Sequence, residues 1–205
     1  IMREEAVRIW EEIASQEVEA EDSFEKGVIA FTYFRGGLPG KMEKFFDHQA
    51  RLCIVSATHT IEAVAREVMS KINEMGVKPA EGNDFHLLDN HFINLVVGRS
   101  LSPDPSPGTL PMTLVSIFCS IGRRLSLNLV VKPVGFPGRV LVAIMRRGSD
   151  SGWTYVDVFA QKVLNEDDLS VMRSTYGADL PRLLSVSSAM EMVSLSFFMT
   201  ERDYH

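Results

Sequence analysis

Gly108–Thr–Leu–Pro–Met–Thr–Leu–Val–Ser–Ile–Phe–Cys–Ser–Ile–Gly–Arg–Arg–Leu–Ser–Leu127 decides how this chain folds, together with Val134–Gly–Phe–Pro–Gly–Arg139 just after it. Leu114, Ile117, Phe118, Ile121 and Leu125 recur at i, i+3, i+4, i+7 and i+11, which is one continuous helical face. Val115 broadens that face, and Pro111 stands in the first turn, where its missing N–H costs nothing. A helix this apolar predicts a central position, wrapped by other elements. Leu127–Val134 and Arg139–Arg146 read as strands joined by Gly135–Gly138, and Trp153–Val158 reads as a third after the loop Arg147–Gly152. Connections this short predict an antiparallel sheet with the helix on one face.

Upstream, the pattern is helical. Ala6, Ile9, Trp10 and Ile13 give an amphipathic helix over Met2–Ser15, followed by the acidic connector Gln16–Asp22. A second helix runs from Phe24 to Phe34, stopped by Gly36–Gly37, and a third starts at Pro39–Gly40. Ile61, Val64, Ala65, Val68 and Ile72 define a fourth over Thr58–Met75, closed by Gly76. A short helix is expected over Asn90–Val97. Pro103, Pro105 and Pro107 then impose an extended loop, a spacer or a ligand for an aromatic groove. Beyond the strands, helices are expected over Asn165–Tyr176 and from Val186 to Met199. The fold class is therefore α+β. An N-terminal helical region, 1–76, is expected to pack as a layer on a core, 77–205, within one integrated domain.

The 205 residues suffice for a sizeable core. A formal net charge of −6 argues against a nucleic-acid platform, which needs a basic stripe that the sequence does not display. No apolar run reaches the ~20 residues of a membrane span. Cys53 and Cys119 are far apart and in helical contexts, which fits a reducing, intracellular setting. The opening on Ile1–Met2 in mid-pattern predicts a piece of a longer chain.

A helix followed by strands is the core of papain-like and transglutaminase-like cysteine enzymes. There the thiol sits at the helix N-terminus, where the dipole favours thiolate. A histidine on the next strand pairs with it, and an acidic or amide side chain orients the histidine. Five stretches of this chain resemble, in order, the blocks of the SirB-type transglutaminase-like domain: Asn90–His–Phe–Ile–Asn94, Gly108–Leu114, Gly122–Leu127, Val134–Val142 and Trp153–Phe159. The resemblance spans about Phe24 to Val193. In eukaryotes such domains occur in F-box proteins, between the F-box and a domain similar to a bacterial hemimethylated-DNA-binding protein.

The resemblance implies a degenerate triad. It places the nucleophile position at Met112, where this family commonly lacks cysteine. The histidine expected after Phe–Pro–Gly is Arg139, a departure from the family, and the aspartate is kept as Asp157. A thioether does not ionise, and a guanidinium with pKa above ~12 is no general base. Asp157 is expected to pair with Arg139 in a bidentate bridge. The implied function is a non-catalytic protein-interaction module, the substrate-recruiting part of an F-box protein in a Skp1–cullin ubiquitin ligase. No catalytic residue, cofactor or metal is assigned. Its partners are a ubiquitination substrate, with Skp1 and cullin bound through other regions. Membrane is not expected, and nucleic acid is disfavoured by the acidic charge, although the family's usual C-terminal neighbour implies a nucleic-acid-associated module as a rival reading.

Other groups carry rival readings. A residual cysteine hydrolase or transamidase would use Cys119 or Cys53, the latter with His48 and His59 nearby in sequence. Asp84, His86, Asp89 and His91 are residue types that ligate zinc, although such a cluster also caps helices. Glu11–Asp22 reads as a solvated face. Arg123–Arg124 and Arg146–Arg147 read as surface residues.

Overall fold

A computed structural model describes residues 2–35, 39–82, 88–100, 108–149 and 152–192. Four helices come first: α1 (Met2–Ala14), α2 (Ser23–Phe31), α3 (Pro39–Leu52) and α4 (Ile61–Glu74). A short α5 (Ile93–Ser100) precedes α6 (Pro111–Arg124). Four strands, β1 (Leu129–Phe136), β2 (Arg139–Arg146), β3 (Thr154–Asp157) and β4 (Lys162–Val163), form one antiparallel sheet in sequence order. Helices α7 (Glu166–Tyr176) and α8 (Leu180–Leu183) follow.

Helix α6 is central, as its apolar face requires. Leu114, Ile117, Phe118 and Ile121 are fully buried, and α2, α3, α4, α5, β1 and β2 all pack on it. Gly122 faces β1, where a Cβ would sit in ordinary contact with both Val131 methyls at 3.4 Å. The main core joins residues on both sides of position 76, from Ile13 to Met192.

The sheet has two covered faces, one more than the sequence predicts. Val140, Val142, Ile144 and Val156 point into the main core under α6. Leu141, Ala143, Val134 and Phe136 point the other way and form a second core with Met172, Leu180 and Leu184 of the C-terminal helices. Period-2 alternation of side chains creates this division. The residue runs of α8 and β4 are too short to leave a periodic signal.

Several boundaries differ from expectation. β1 continues through Gly135 and Phe136 because those residues pair with Val140 and Arg139. The hairpin turn is therefore only Pro137–Gly138, with Gly138 at φ 74° supplying the left-handed residue. The segment expected as one helix over Asn90–Val97 is split. A 3-10 turn, Leu88–His91, closes through Phe92 N–H donating to the Asp89 carbonyl at 3.2 Å, and α5 starts after it. Gly76 does cap the end of α4, at φ 76°. The stop at Gly36–Gly37 and the loop with Pro103, Pro105 and Pro107 lie outside the described residues, as does the part of the last expected helix beyond Met192.

The free edge of β1 is partly closed by the chain after α8. Ser187 N–H donates to the Pro133 carbonyl, and Gly135 N–H donates to Ser187 Oγ, both at 2.9 Å. Proline is tolerated here because the strand is an edge.

Candidate functional site

Helix α6 begins at Leu110, in extended conformation (φ −68°, ψ 152°), with Pro111 as its first residue. Leu114 N–H donates to the Leu110 carbonyl at 2.9 Å, and no side chain caps the end. Thr113 Oγ1 donates to the Asn90 carbonyl at 3.1 Å, pinning the preceding 3-10 turn to the helix start. Met112 packs half-buried against the main core. It contributes a thioether and its backbone carbonyl, which accepts from Ser116 Oγ at 2.8 Å.

Arg139 and Asp157 do meet, although not as expected. Arg139 Nη1 donates to Asp157 Oδ2 at a long 3.4 Å, a single contact and no bidentate fork. The other carboxylate oxygen, Oδ1, accepts the Ala160 N–H at 2.9 Å within the β3–β4 turn. The guanidinium lies 5.7 Å from the centre of the Phe136 ring, a cation–π distance. Phe136 belongs to the second core, and Arg139 alternates with the inward-facing Val140. The Arg139–Asp157 pair therefore sits on the sheet face toward α7, whereas Met112 packs into the core on the α6 face. The structure joins two of the three positions and assigns the third to the opposite side.

The pair extends into a row of charge. Lys162 is the cross-strand partner of Asp157, and its ammonium contacts Asp168 at 2.5 Å. Asp168 also accepts the Asn165 N–H and completes a capping box at the start of α7. Lys162, the Asn165 N–H and, more weakly, Arg139 hold its carboxyl below the usual range.

Neither thiol is primed. Burial, with a smaller contribution from the Glu67 charge, pushes Cys53 up to about 11. Its Sγ–H donates to the Gln49 carbonyl at 3.5 Å. Cys119 is enclosed along α6, and burial raises its pKa further, with Glu25 adding to the effect. His59 is engaged by its own turn, since its Nδ1 accepts the Ser56 N–H at 2.9 Å. His48 is exposed on α3, whereas Cys53 is half-buried.

Residues 45–193 match the sequence model of the transglutaminase-like superfamily. The chain belongs to that superfamily. No curated protein and no solved structure gave a match.

Within this transglutaminase-like chain, the match begins inside α3, so α1 and α2 precede it. Both share the main apolar core with it, and α2 is bound to it by charge as well. Glu25 on α2 is buried, and Arg124 grips both of its oxygens at 2.5 and 2.6 Å while Arg123 adds a contact at 2.6 Å. Arg124 Nε also donates to Asp47 at 2.7 Å. Arg124 is thus a largely buried anchor and Arg123 a partly buried one, a correction to the surface reading that follows from a partner about 98 positions away. Arg146 donates to the His59 carbonyl, and Arg147 pairs with Glu21. The acidic connector is correspondingly more than a solvated face. Besides Glu21, Glu19 accepts the Ala189 N–H at 2.8 Å.

Of the four candidate zinc ligands, Asp84 and His86 lie outside the described residues, while Asp89 and His91 occupy the 3-10 turn. Half-burial lowers the pKa of His91. Among the described residues no three such side chains cluster, and no helix is long and apolar enough to cross a membrane.

One surface was missed from sequence. At 100° per residue, Lys41, Lys44, His48 and Arg51 share about 80° of the α3 circumference. All four are exposed. A basic stripe therefore does exist, against the expectation of none, and the net negative charge had hidden it. The 3.6-residue period was the signal available.

Proposed function

We propose that this transglutaminase-like chain is a non-catalytic protein-interaction module. It serves as the substrate-recruiting part of an F-box protein in an intracellular Skp1–cullin ubiquitin ligase. The observation that carries the non-catalytic part is the placement of Arg139. At the position that the resemblance gives to the base, the side chain is a permanent cation, bound to Asp157 and stacked on Phe136. Met112 offers no ionisable group at the nucleophile position.

The ligase context rests on the SirB-type resemblance of the five sequence blocks, and it is an argument by analogy. Skp1 and cullin are reached through regions other than these residues. The acidic net charge weighs against a nucleic-acid role.

The test has two arms. In the first, the purified protein is assayed for amine incorporation into a glutamine peptide and for ester hydrolysis, beside Cys53→Ser and Cys119→Ser variants. The expected result is no turnover above buffer. Turnover that either substitution abolishes establishes the rival hydrolase or transamidase. In the second, the full-length protein is purified from cells under native conditions. Skp1 and cullin are expected in stoichiometric amounts, and their consistent absence removes the ligase reading.

A further inference from the structure

The face of α3 that looks into solvent gathers positive charge on an acidic chain. Its opposite face is committed to the core through Met42, Phe46, Gln49 and Ala50. The outward face carries Lys41, Lys44, His48 and Arg51 at i, i+3, i+7 and i+10, a stripe about 15 Å long at 1.5 Å per residue. None of the three full cations takes part in a salt bridge among the described residues. Two exposed acidic residues of α3 flank the stripe. Asp47 is bound to Arg124 at 2.7 Å, and the Glu43 charge acts on Tyr33 on the side toward α2.

At the C-terminal end the stripe meets two exposed apolar side chains, Leu52 at 46% and Ile54 at 83%. Ile54 is held outward by a fixed backbone. Its N–H donates to Glu67 Oε1 on α4 at 2.8 Å, which also commits that carboxylate. On either side, Cys53 N–H donates to the Ala50 carbonyl and Val55 N–H to the Cys53 carbonyl. An apolar knob on a rigid turn, beside unpaired cations, combines an anchor with an electrostatic guide.

We propose that the solvent face of α3 and the turn after it form a docking surface for an acidic protein segment bearing an apolar anchor residue. Lys41, Lys44 and Arg51 meet its carboxylates, His48 adds a hydrogen-bonding ring, and Leu52 with Ile54 seats the apolar side chain. Charge complementarity selects this partner: the stripe gathers three cations that form no salt bridge among the described residues, on a chain with net charge −6. Its length suits a few turns of helix or a short extended segment, and the apolar end has no counterpart in phosphate-backbone recognition. This surface rests on the interaction-module reading and names the partner chemistry.

The probe is a fluorescent 14-residue peptide with glutamates at four positions and one central leucine, measured by anisotropy against the whole chain. Comparison peptides replace the glutamates by lysine or the leucine by serine. Saturable binding is expected, weakened about tenfold or more by Lys44→Glu with Arg51→Glu, and several-fold by Ile54→Ser. Raising salt from 50 to 200 mM is expected to weaken it as well. These substitutions lie on solvent-exposed side chains, and unchanged thermal melting confirms the fold.

Binding that ignores the charge reversal, or no binding at 50 mM salt, overturns the proposal. Stronger variant-sensitive binding to vesicles with 30% phosphatidylserine, or to a 20-nucleotide single-stranded DNA, overturns it in favour of those partners. Peptide binding that persists in the variants removes this surface but leaves the interaction-module reading intact. Amine-transfer or esterase turnover is what removes the latter.

Discussion

Arg124 closes a two-pronged fork on Glu25, donating Nη1 to Oε2 at 2.5 Å and Nη2 to Oε1 at 2.6 Å. Both side chains are largely withdrawn from water, and Arg124 also lies 5.7 Å from the Phe46 ring centre. The fork joins α2 to the C-terminal turn of α6, so it ties a helix that precedes the family match to the helix at its centre. Removing one member of such a pair leaves the other charge buried without compensation. Glu25→Ala is expected to destabilise the protein by about 3 kcal/mol, near the lower end for buried pairs because Arg123 is partly exposed. Urea denaturation followed by tryptophan fluorescence measures it, and a loss below about 1 kcal/mol contradicts the anchoring role.

Arg139→Ala tests the opposite case. Its single 3.4 Å contact and half-exposed side chain resemble a surface ion pair, while Asp157 keeps the Ala160 N–H and Lys162 beside it. The expected loss is under about 1 kcal/mol. A much larger loss in the same denaturation experiment means that the guanidinium–Phe136 contact is structural in its own right.

The approach of α1 to α2 rests on the absence of a Cβ at Gly27. A methyl group there would lie 2.3 Å from Trp10 Cη2 and 2.7 Å from Cζ2. Gly27→Ala gains roughly 0.8–1 kcal/mol in helix propensity but overpacks the contact, and overpacking typically costs about 1–3 kcal/mol. Net destabilisation is expected, with a shift in Trp10 emission as the indole is displaced from its 5.4 Å contact with Phe31. Combining it with Trp10→Leu should recover part of the loss. Stabilisation by the single substitution shows that the indole moves aside freely.

Cys53 supplies a pH dependence. Its folded value of about 11 lies above the ordinary 9.0, so the folded state holds its proton more tightly than the unfolded chain. Stability from this group is fully present below pH 9 and is lost as pH rises toward 11. Cys53→Ser removes that part of the alkaline decline. A thiol-reactive disulfide dye should label native Cys53 slowly at neutral pH and faster as the pH rises, with Cys119 reacting only on unfolding. Rapid labelling of either residue at pH 7 contradicts the burial described here.

The elements that depend on local periodicity were legible in the sequence. Helix α6 could be placed from five apolar positions, β2 from a run ending at Arg146, and the cap of α7 from Asn165. Relations that depend on distant partners were not. Nothing local to Arg123–Arg124 announces Glu25, and nothing local to Val156 announces a strand at Val163. The second core explains why the three positions given by the resemblance do not share one face of the sheet. The sequence showed helix, strand, strand in the expected order, but alternation along β2 turns Arg139 away from α6, and side-chain facing is a property of register. The stripe on α3 was within reach of the helical period and was overlooked because opposite charges were summed over the whole chain.

Ser187 sits beside β1 as a borrowed partner for two of its main-chain groups. Its importance shows when it is taken away. A protease nick between α8 and Ser187 would free the edge of an eight-residue strand in which only Lys132 and Pro133 stand against pairing with the same strand of another molecule. Clipped material should therefore form concentration-dependent aggregates while the intact chain stays dispersed, and a few residues after α8 would set the shelf life of the whole protein.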